Sequence, residues 1–347
     1  MMMSRLIPAV LAVLVATGPL AAQEAVTTVG DGPTPFVVRS TTDIDIIQPA
    51  LDAFADANPD LAVTYEQWGS IPLFEEAERA CDGNAQAADA VWSSAAHLVV
   101  ALVNRACARP YSSSLTNALP DTRRWRNEVW GLTQEPAVII YNTDRISGDE
   151  VPLSRFALLD LMRQRPALLQ GRIATYDIED SGLGYLFAYA DSLEATTFGS
   201  LLEGLARSDA IATCCSAEII DGVSRGEYLI AYNVLGSYVT NAAPANVGIV
   251  LPEDYTLFLS RAYMIPRRAA NPEAAERFLD FLLSDQGQAI LAAAGLIQAG
   301  DPVDQGLIPS ARRSIPLAPP LLVALDKSTE QQFFARWRDA FSQAPPP

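Results

Sequence analysis

Beyond its first 25 residues the chain alternates short apolar runs with amphipathic stretches, and that alternation predicts its elements. Phe36-Val37-Val38 reads as a strand, and Ser40-Thr41-Thr42-Asp43 then offers several helix-capping side chains. Ile46, Ile47, Leu51, Phe54 and Ala57 follow at helical spacing, and Asn58-Pro59-Asp60 ends that helix. Leu61-Ala62-Val63-Thr64-Tyr65 is a second strand, with a helix near Leu73 to Ala80 behind it. Asp89-Ala90-Val91-Trp92 is a third strand that stops at Ser93-Ser94, and Leu98, Leu102, Val103 and Ala106 mark the next helix. Further strands are expected at Ala137–Tyr141, Arg172–Tyr176 and Leu229–Asn233. Asn271-Pro272-Glu273 is a helix start with proline in the first helical position, before the apolar face Ala275, Phe278, Leu279, Phe281 and Leu282. Strand and helix in alternation predict an α/β fold with mostly parallel sheets.

The first residues break this pattern. Arg5 precedes an apolar run from Leu6 to Leu20, Pro19 interrupts the run, and Ala21-Ala22 follow. That order predicts a signal peptide over residues 1–25, cleaved between Ala22 and Ala25. The run is shorter than the roughly 20 residues that span a bilayer. No cysteine lies near the cleavage point, so no lipid anchor is expected there.

Composition narrows the partners. The formal charge is −17, about −18 once Arg5 is lost. Such a field repels nucleic acid and anionic lipid, but a local cleft can still be positive. Four cysteines in an exported chain invite disulfides. Cys81 and Cys107 flank the strand at Asp89–Trp92, which favours a bridge between them. Cys214 and Cys215 are adjacent, and a bond between neighbours is strained; they are left open between bonding to each other, pairing across the two sets and staying free. Without paired CxxC spacing, and with His97 as the lone histidine, neither a metal site nor a catalytic triad finds support. No cofactor is expected.

Several segments together resemble the type II periplasmic binding proteins of ABC transporters, in the ferric-iron-transport-like branch that also holds phosphoglycerate-uptake regulatory proteins. They are Asp89–Ser94, Trp130–Pro136 leading to Tyr141-Asn142, Gly171–Ile173 with Thr175–Asp177, Ser181–Tyr185, Gly226-Glu227, Ala231–Tyr238, Leu251–Thr256, and Asn271–Ala275 through Phe281-Leu282 to Gly287-Gln288. The resemblance covers most of the chain after the leader. It implies two α/β lobes with mixed sheets, joined by two crossing strands, and a ligand in the cleft between them. The first crossing is expected near Thr133 to Ala137 and the return near Pro252 to Thr256. Residues 26–134 would then begin lobe one, 135–254 would form lobe two, and 255–347 would return to lobe one with the C-terminal helices.

Physical reasoning points to the same cleft. Ligands of α/β sheets lie beyond the carboxyl ends of strands, where helix starts converge. Four polar groups fall at such ends: Ser40-Thr41-Thr42, Ser93-Ser94, Ser181-Gly182 and Ser237-Tyr238. Free N–H groups at a helix start, with hydroxyls beside them, suit an anion. Thr133 at the first crossing and Tyr255 at the return complete the candidate ligand-binding set. Arg39 is a candidate to neutralise a carboxylate, while Glu135 reads as a solvated strand edge and His97 as a packing or surface residue. Ferric-binding relatives carry adjacent tyrosines where this chain has Gly236-Ser237, which disfavours direct iron binding.

The leading expectation is therefore a monomeric periplasmic receptor. It would capture a small, anionic organic solute and deliver it to an ABC permease in the inner membrane. A sensing output through a sensor kinase, ferric-iron binding, and a secreted hydrolase are the alternatives. The hydrolase would need a nucleophile and base within reach, for which one histidine is poor material.

Overall fold

The structure, a computed structural model, describes residues 23–298 and 308–341. The expected leader lies outside the described residues except for Gln23–Ala25, which open the first strand. Among the described residues no helix is long and apolar enough to cross a membrane.

Among the described residues two seven-stranded sheets form, one in each lobe. Lobe one begins with β1 (Gln23–Val29), β2 (Thr34–Ser40), α1 (Ile44–Ala57), β3 (Leu61–Trp68), α2 (Ser70–Asp82), β4 (Ala90–Ser93), α3 (Ala96–Asn104), α4 (Ser114–Ala118), β5 (Arg124–Trp125) and β6 (Val129–Gly131). Lobe two takes β7 (Glu135–Asn142), α5 (Arg155–Gln164), α6 (Pro166–Leu169), β8 (Ile173–Tyr176), α7 (Gly182–Glu194), α8 (Phe198–Arg207), β9 (Ile211–Thr213), α9 (Ser216–Ser224), β10 (Ile230–Leu235), α10 (Gly236–Ala242), β11 (Val247–Val250) and β12 (Thr256–Leu259). The chain then returns with β13 (Ala262–Met264), α11 (Pro272–Leu283) and α12 (Asp285–Ala293), and ends through β14 (Arg312–Ser314) and α13 (Lys327–Phe341). Strand order is β1-β3-β2-β4-β13-β6-β5 in the first sheet and β14-β12-β7-β10-β8-β9 in the second, with β11 also on β7. Both sheets mix parallel and antiparallel pairs, as β2 runs parallel to β3 and β4 while β13 runs antiparallel to β4 and β6.

Local sequence explains the placement. Phe36 and Val38 alternate into the core of lobe one, where Phe36, Phe54 and Phe278 pack with centroids 4.8–6.0 Å apart. Asn271 accepts a hydrogen bond from Ala274 N at 3.3 Å and caps α11, which then buries Ala275, Phe278, Leu279 and Leu282. Cys81 and Cys107 are bonded, and so are Cys214 and Cys215.

The first sheet hands over to the second at Leu132–Gln134, close to the expected crossing. The return differs: it lies at Ser260-Arg261, beyond Pro252–Thr256. Arg155 is the reason, because it holds Asp254 Oδ1 at 3.3 Å and the Tyr255 carbonyl at 2.6 Å inside lobe two. The two crossings run side by side, with Ser260 Oγ donating to Thr133 O at 2.6 Å and Arg261 N donating to Thr133 Oγ1 at 2.9 Å.

The C-terminal end also departs from the expectation. Helices α11 and α12 close on lobe one, but β14 pairs with β12 of the second sheet. The 3-10 turn Pro319–Leu325 then packs on α3 of lobe one, and α13 packs on α8 of lobe two. The apolar face Phe333 and Trp337 finds Tyr185, Tyr189 and Phe198 there, and Arg338 pairs with Glu179. Among the described residues the ring contacts that α13 makes outside itself are all with lobe two, and they hold the end of the chain there.

Candidate functional site

A cavity of about 300 Å³ lies between the lobes, with walls from both. Lobe one contributes Glu24, Thr41, Asp43, Gln67, Trp68, Ser70 and Ser94. Lobe two contributes Tyr176, Ser181, Leu183, Cys214, Cys215, Ser216 and Tyr238, and Arg261 from the return crossing closes the base. The residues preceding or opening α1, α2, α3, α7 and α9 all meet here, because each follows a strand whose carboxyl end points into the cleft. Another cavity, of about 430 Å³, opens on the far side of β7. Among the described residues Glu253 alone in its wall is ionisable, and the strand ends of lobe one do not reach it, so the interlobe cavity is the better site.

Most hydroxyls here cap or bridge. Thr41 Oγ1 accepts from Ser94 N at 2.9 Å and lies 3.1 Å from Ser94 Oγ, tying the starts of α1 and α3 together. Ser181 Oγ accepts from Gly184 N at 3.1 Å and caps α7. Ser70 Oγ accepts from Gly182 N at 2.9 Å, a hydrogen bond from one lobe to the other. Unlike α7, helix α9 has no side-chain cap, as is also true of α1, α2 and α3 on the lobe-one side, so its first-turn N–H groups at Ser216 and Ala217 stand open beside the cavity. Tyr176 OH and Ser216 Oγ are 2.6 Å apart on the same wall.

A buried ion pair sits under the cleft. Arg261 donates from Nε and Nη2 to the two oxygens of Glu135 at 2.8 and 3.1 Å, and from Nη1 to Thr42 Oγ1 at 3.1 Å. Ser237 Oγ donates to Glu135 Oε2 at 2.5 Å, and Tyr238 OH donates to Asp43 Oδ1 at 2.8 Å. Burial works against the charge of Arg261, but Glu135 and its hydrogen bonds hold the guanidinium above its ordinary pKa. Burial raises Tyr176 to about 12 and pushes Tyr238 higher still, so both phenols stay protonated at the cleft wall, with the Tyr238 proton committed to Asp43.

The sequence-based candidates divide into three groups. Thr41, Ser94, Ser181 and Tyr238 line the cavity. Ser40, Thr42, Ser93, Thr133, Gly182 and Ser237 lie behind it, where their polar atoms hold the starts and crossings in place. Tyr255 lies elsewhere: its hydroxyl donates to Asp191 at 2.8 Å in the interior of lobe two. Glu135 is fully buried rather than a solvated strand edge, because Arg261 neutralises it. Arg39 pairs with Glu66 and Glu76 and stacks over Trp68, so it is not free to meet a ligand carboxylate. His97 is a packing residue, and burial lowers its pKa to about 3.

Sequence reasoning missed Trp68, Ser70, Tyr176, Ser216 and Arg261. Trp68-Gly69-Ser70 repeats the strand-end, helix-start pattern already used for Ser40–Thr42. Arg261 is the lone charge in the apolar stretch Thr256–Met264, which is itself a sign of a buried pair.

The geometry agrees with known proteins. The substrate-binding protein of an ABC transporter from Agrobacterium tumefaciens superposes with a TM-score of 0.85 at 32% identity, covering 91% of this chain and 98% of that one. The periplasmic binding protein AfuA from Actinobacillus pleuropneumoniae, bound to fructose 6-phosphate, shares the fold at a TM-score of 0.71 and 17% identity, covering 90% of this chain and 100% of its own. A ferric binding protein from Campylobacter jejuni does so at 0.69 and 15%, covering 88% and 99%. No curated protein sequence matches. The profile of bacterial extracellular solute-binding proteins matches residues 94–317. With that match over most of the chain, and a relative of 32% identity along nearly its whole length, the chain belongs to the bacterial extracellular solute-binding protein family.

Proposed function

We propose that the solute this ABC-transporter binding protein captures is a small organic anion, held between the lobes in the periplasm and passed to an inner-membrane permease without chemical change. One observation carries the reading: helix starts from both lobes converge on one cavity, and the lobe-two wall presents Ser181, Ser216 and the uncapped first turn of α9. Glu24 and Asp43 stand on the lobe-one wall, whereas among the described residues lobe two contributes no carboxylate to the lining and Glu218 in the first turn of α9 is engaged by Thr213, so the anionic group is oriented toward lobe two. The fructose 6-phosphate carried by AfuA has the same chemistry, a phosphate on a small organic body. Direct ferric binding is disfavoured, since Gly236-Ser237 stand where the ferric-binding branch carries adjacent tyrosines. A ligand that bridges the walls stabilises the closed arrangement, in which Ser70 already reaches Gly182.

A thermal-shift screen of the protein against organic acids, sugar phosphates, polyamines and ferric iron tests this. An organic anion at about 100 times its Kd stabilises the folded state by about 2.7 kcal/mol, a rise of several degrees. A response confined to polyamines or to ferric iron would sink the reading.

A further inference from the structure

The two disulfides differ in what they constrain. Cys81–Cys107 spans a sequence separation of 26, and closing such a loop stabilises by about 3.5 kcal/mol through the unfolded chain. Cys214–Cys215 joins neighbours and closes almost no loop, so stability gives no account of it. Its place does. Both residues are exposed, both line the interlobe cavity, and Cys215 is the residue that opens α9.

The pair changes the character of that wall. Around it Tyr176, Ser181 and Ser216 present hydroxyls, whereas a bonded sulfur pair has no proton to donate and is soft and polarisable. On the lobe-one side of the same cavity stands the indole of Trp68, steadied by the Arg39 guanidinium 5.5 Å from its ring centroid. Sulfur pair and indole are thus two flat apolar surfaces facing the same cleft, beside the smaller apolar contributions of Leu183, Ala217 and Leu235.

We propose that the Cys214–Cys215 disulfide is a specificity-determining contact, an apolar platform for the face of a cyclic organic anion whose other face meets Trp68. This rests on the anionic reading of the cleft and adds the shape of the solute. The charged substituent reaches the open start of α9 and Ser181, while the ring covers the sulfurs. An open-chain anion satisfies the same N–H groups but leaves both apolar surfaces wet, so it binds more weakly.

The test compares fructose 6-phosphate and phenyl phosphate with glycerol 3-phosphate and succinate, by calorimetry, on the wild-type protein and on C214S/C215S. The wild type should bind the better cyclic probe at least ~10-fold more tightly than either open-chain probe. The double variant should lose that preference while melting, without ligand, within about 2 °C of wild type, since no loop was closed. Trp68→Ala, on the other wall, should lose it too and guards against a local change of fold in the cysteine variant. A C214S/C215S protein that keeps the cyclic preference overturns the proposal. Equal binding of cyclic and open-chain probes by the wild type overturns it as well, and leaves the anionic reading intact. No binding by any of the four removes both.

Discussion

Two arginines are almost wholly enclosed among the described residues, and they stand in different mechanical settings. Arg155 lies within lobe two, where Nη2 meets Asp191 at 2.9 Å, Nη1 meets Asp254 at 3.3 Å and Nε donates to Tyr232 OH at 2.6 Å. Tyr232, Asn233 and Tyr255 all donate to the same Asp191, and the Tyr255 ring lies 3.6 Å from the guanidinium carbon. Every partner belongs to one lobe. Arg261, itself in the return crossing, instead gathers Glu135 from the start of β7 in lobe two, Thr41 and Thr42 from lobe one and, through Glu135, Ser237 from lobe two. The first knot makes a body rigid. The second sits where two bodies meet, and its charge borders the ligand cavity. Burial of a charge thus says nothing of function until the ownership of its partners is known.

Breaking the lobe-two knot should have a large effect on stability and almost none on binding. Asp191→Asn leaves Arg155 short of its fully buried counter-charge, and such a loss costs about 3–5 kcal/mol. Equilibrium unfolding in urea would read it, while anion affinity should stay within about twofold. A large affinity change would mean that the two knots are coupled and the contrast is false.

Glu135→Gln should change binding as well. The amide keeps the shape and part of the hydrogen bonding, but Arg261 loses its fully buried counter-charge as Arg155 does in Asp191→Asn, so stability falls by a comparable amount, about 3–5 kcal/mol. Arg261 is then uncompensated beside the cavity, and anion affinity should rise severalfold in low salt, with the gain shrinking as salt is added. Unchanged or weaker anion binding would remove Arg261 from the electrostatics of the cleft.

His97 offers a smaller and pH-dependent version of the contrast. It lies on α3 of lobe one with its ring 5.5 Å from that of Tyr185 on α7 of lobe two, buried, with Nδ1 lacking a hydrogen-bond partner. Its folded pKa, about 3, is below the ordinary 6.5, so the unfolded chain binds the proton more readily. Stability is therefore complete above about pH 6.5 and declines as pH falls toward 3. Between pH 7 and pH 5 this group alone removes about 2 kcal/mol. His97→Phe should lack that component when the two proteins are unfolded in urea at both pH values. Parallel losses would show that the histidine is not the sensitive group.

The strands, most helices and the polar clusters at strand ends were legible in the sequence, because periodicity and capping are local properties. The facing of each hydroxyl was not. Side chains at a strand end alternate, so Thr41 and Ser94 face the cavity while Ser40 and Ser93 turn inward, and a cluster of adjacent serines and threonines hides that phase. Pairings between distant positions were also invisible. Arg261 and Glu135 are 126 residues apart, and Tyr255 meets Asp191 across 64. Both needed the fold before their partners could be named, which is why Glu135 read as solvated and Tyr255 as cleft wall.

The end of the chain has a mechanical consequence. Two covalent crossings alone would let the lobes part like a book, free along the whole outer edge. Here the turn Pro319–Leu325 rests on α3 of lobe one, Tyr185 of lobe two donates to the Ala324 carbonyl within it, and α13 continues onto α8. The segment works as a belt buckled to both covers. Any swing that separates them must peel or slide the belt, so one flank of the book is strapped and the pages can open only from the other.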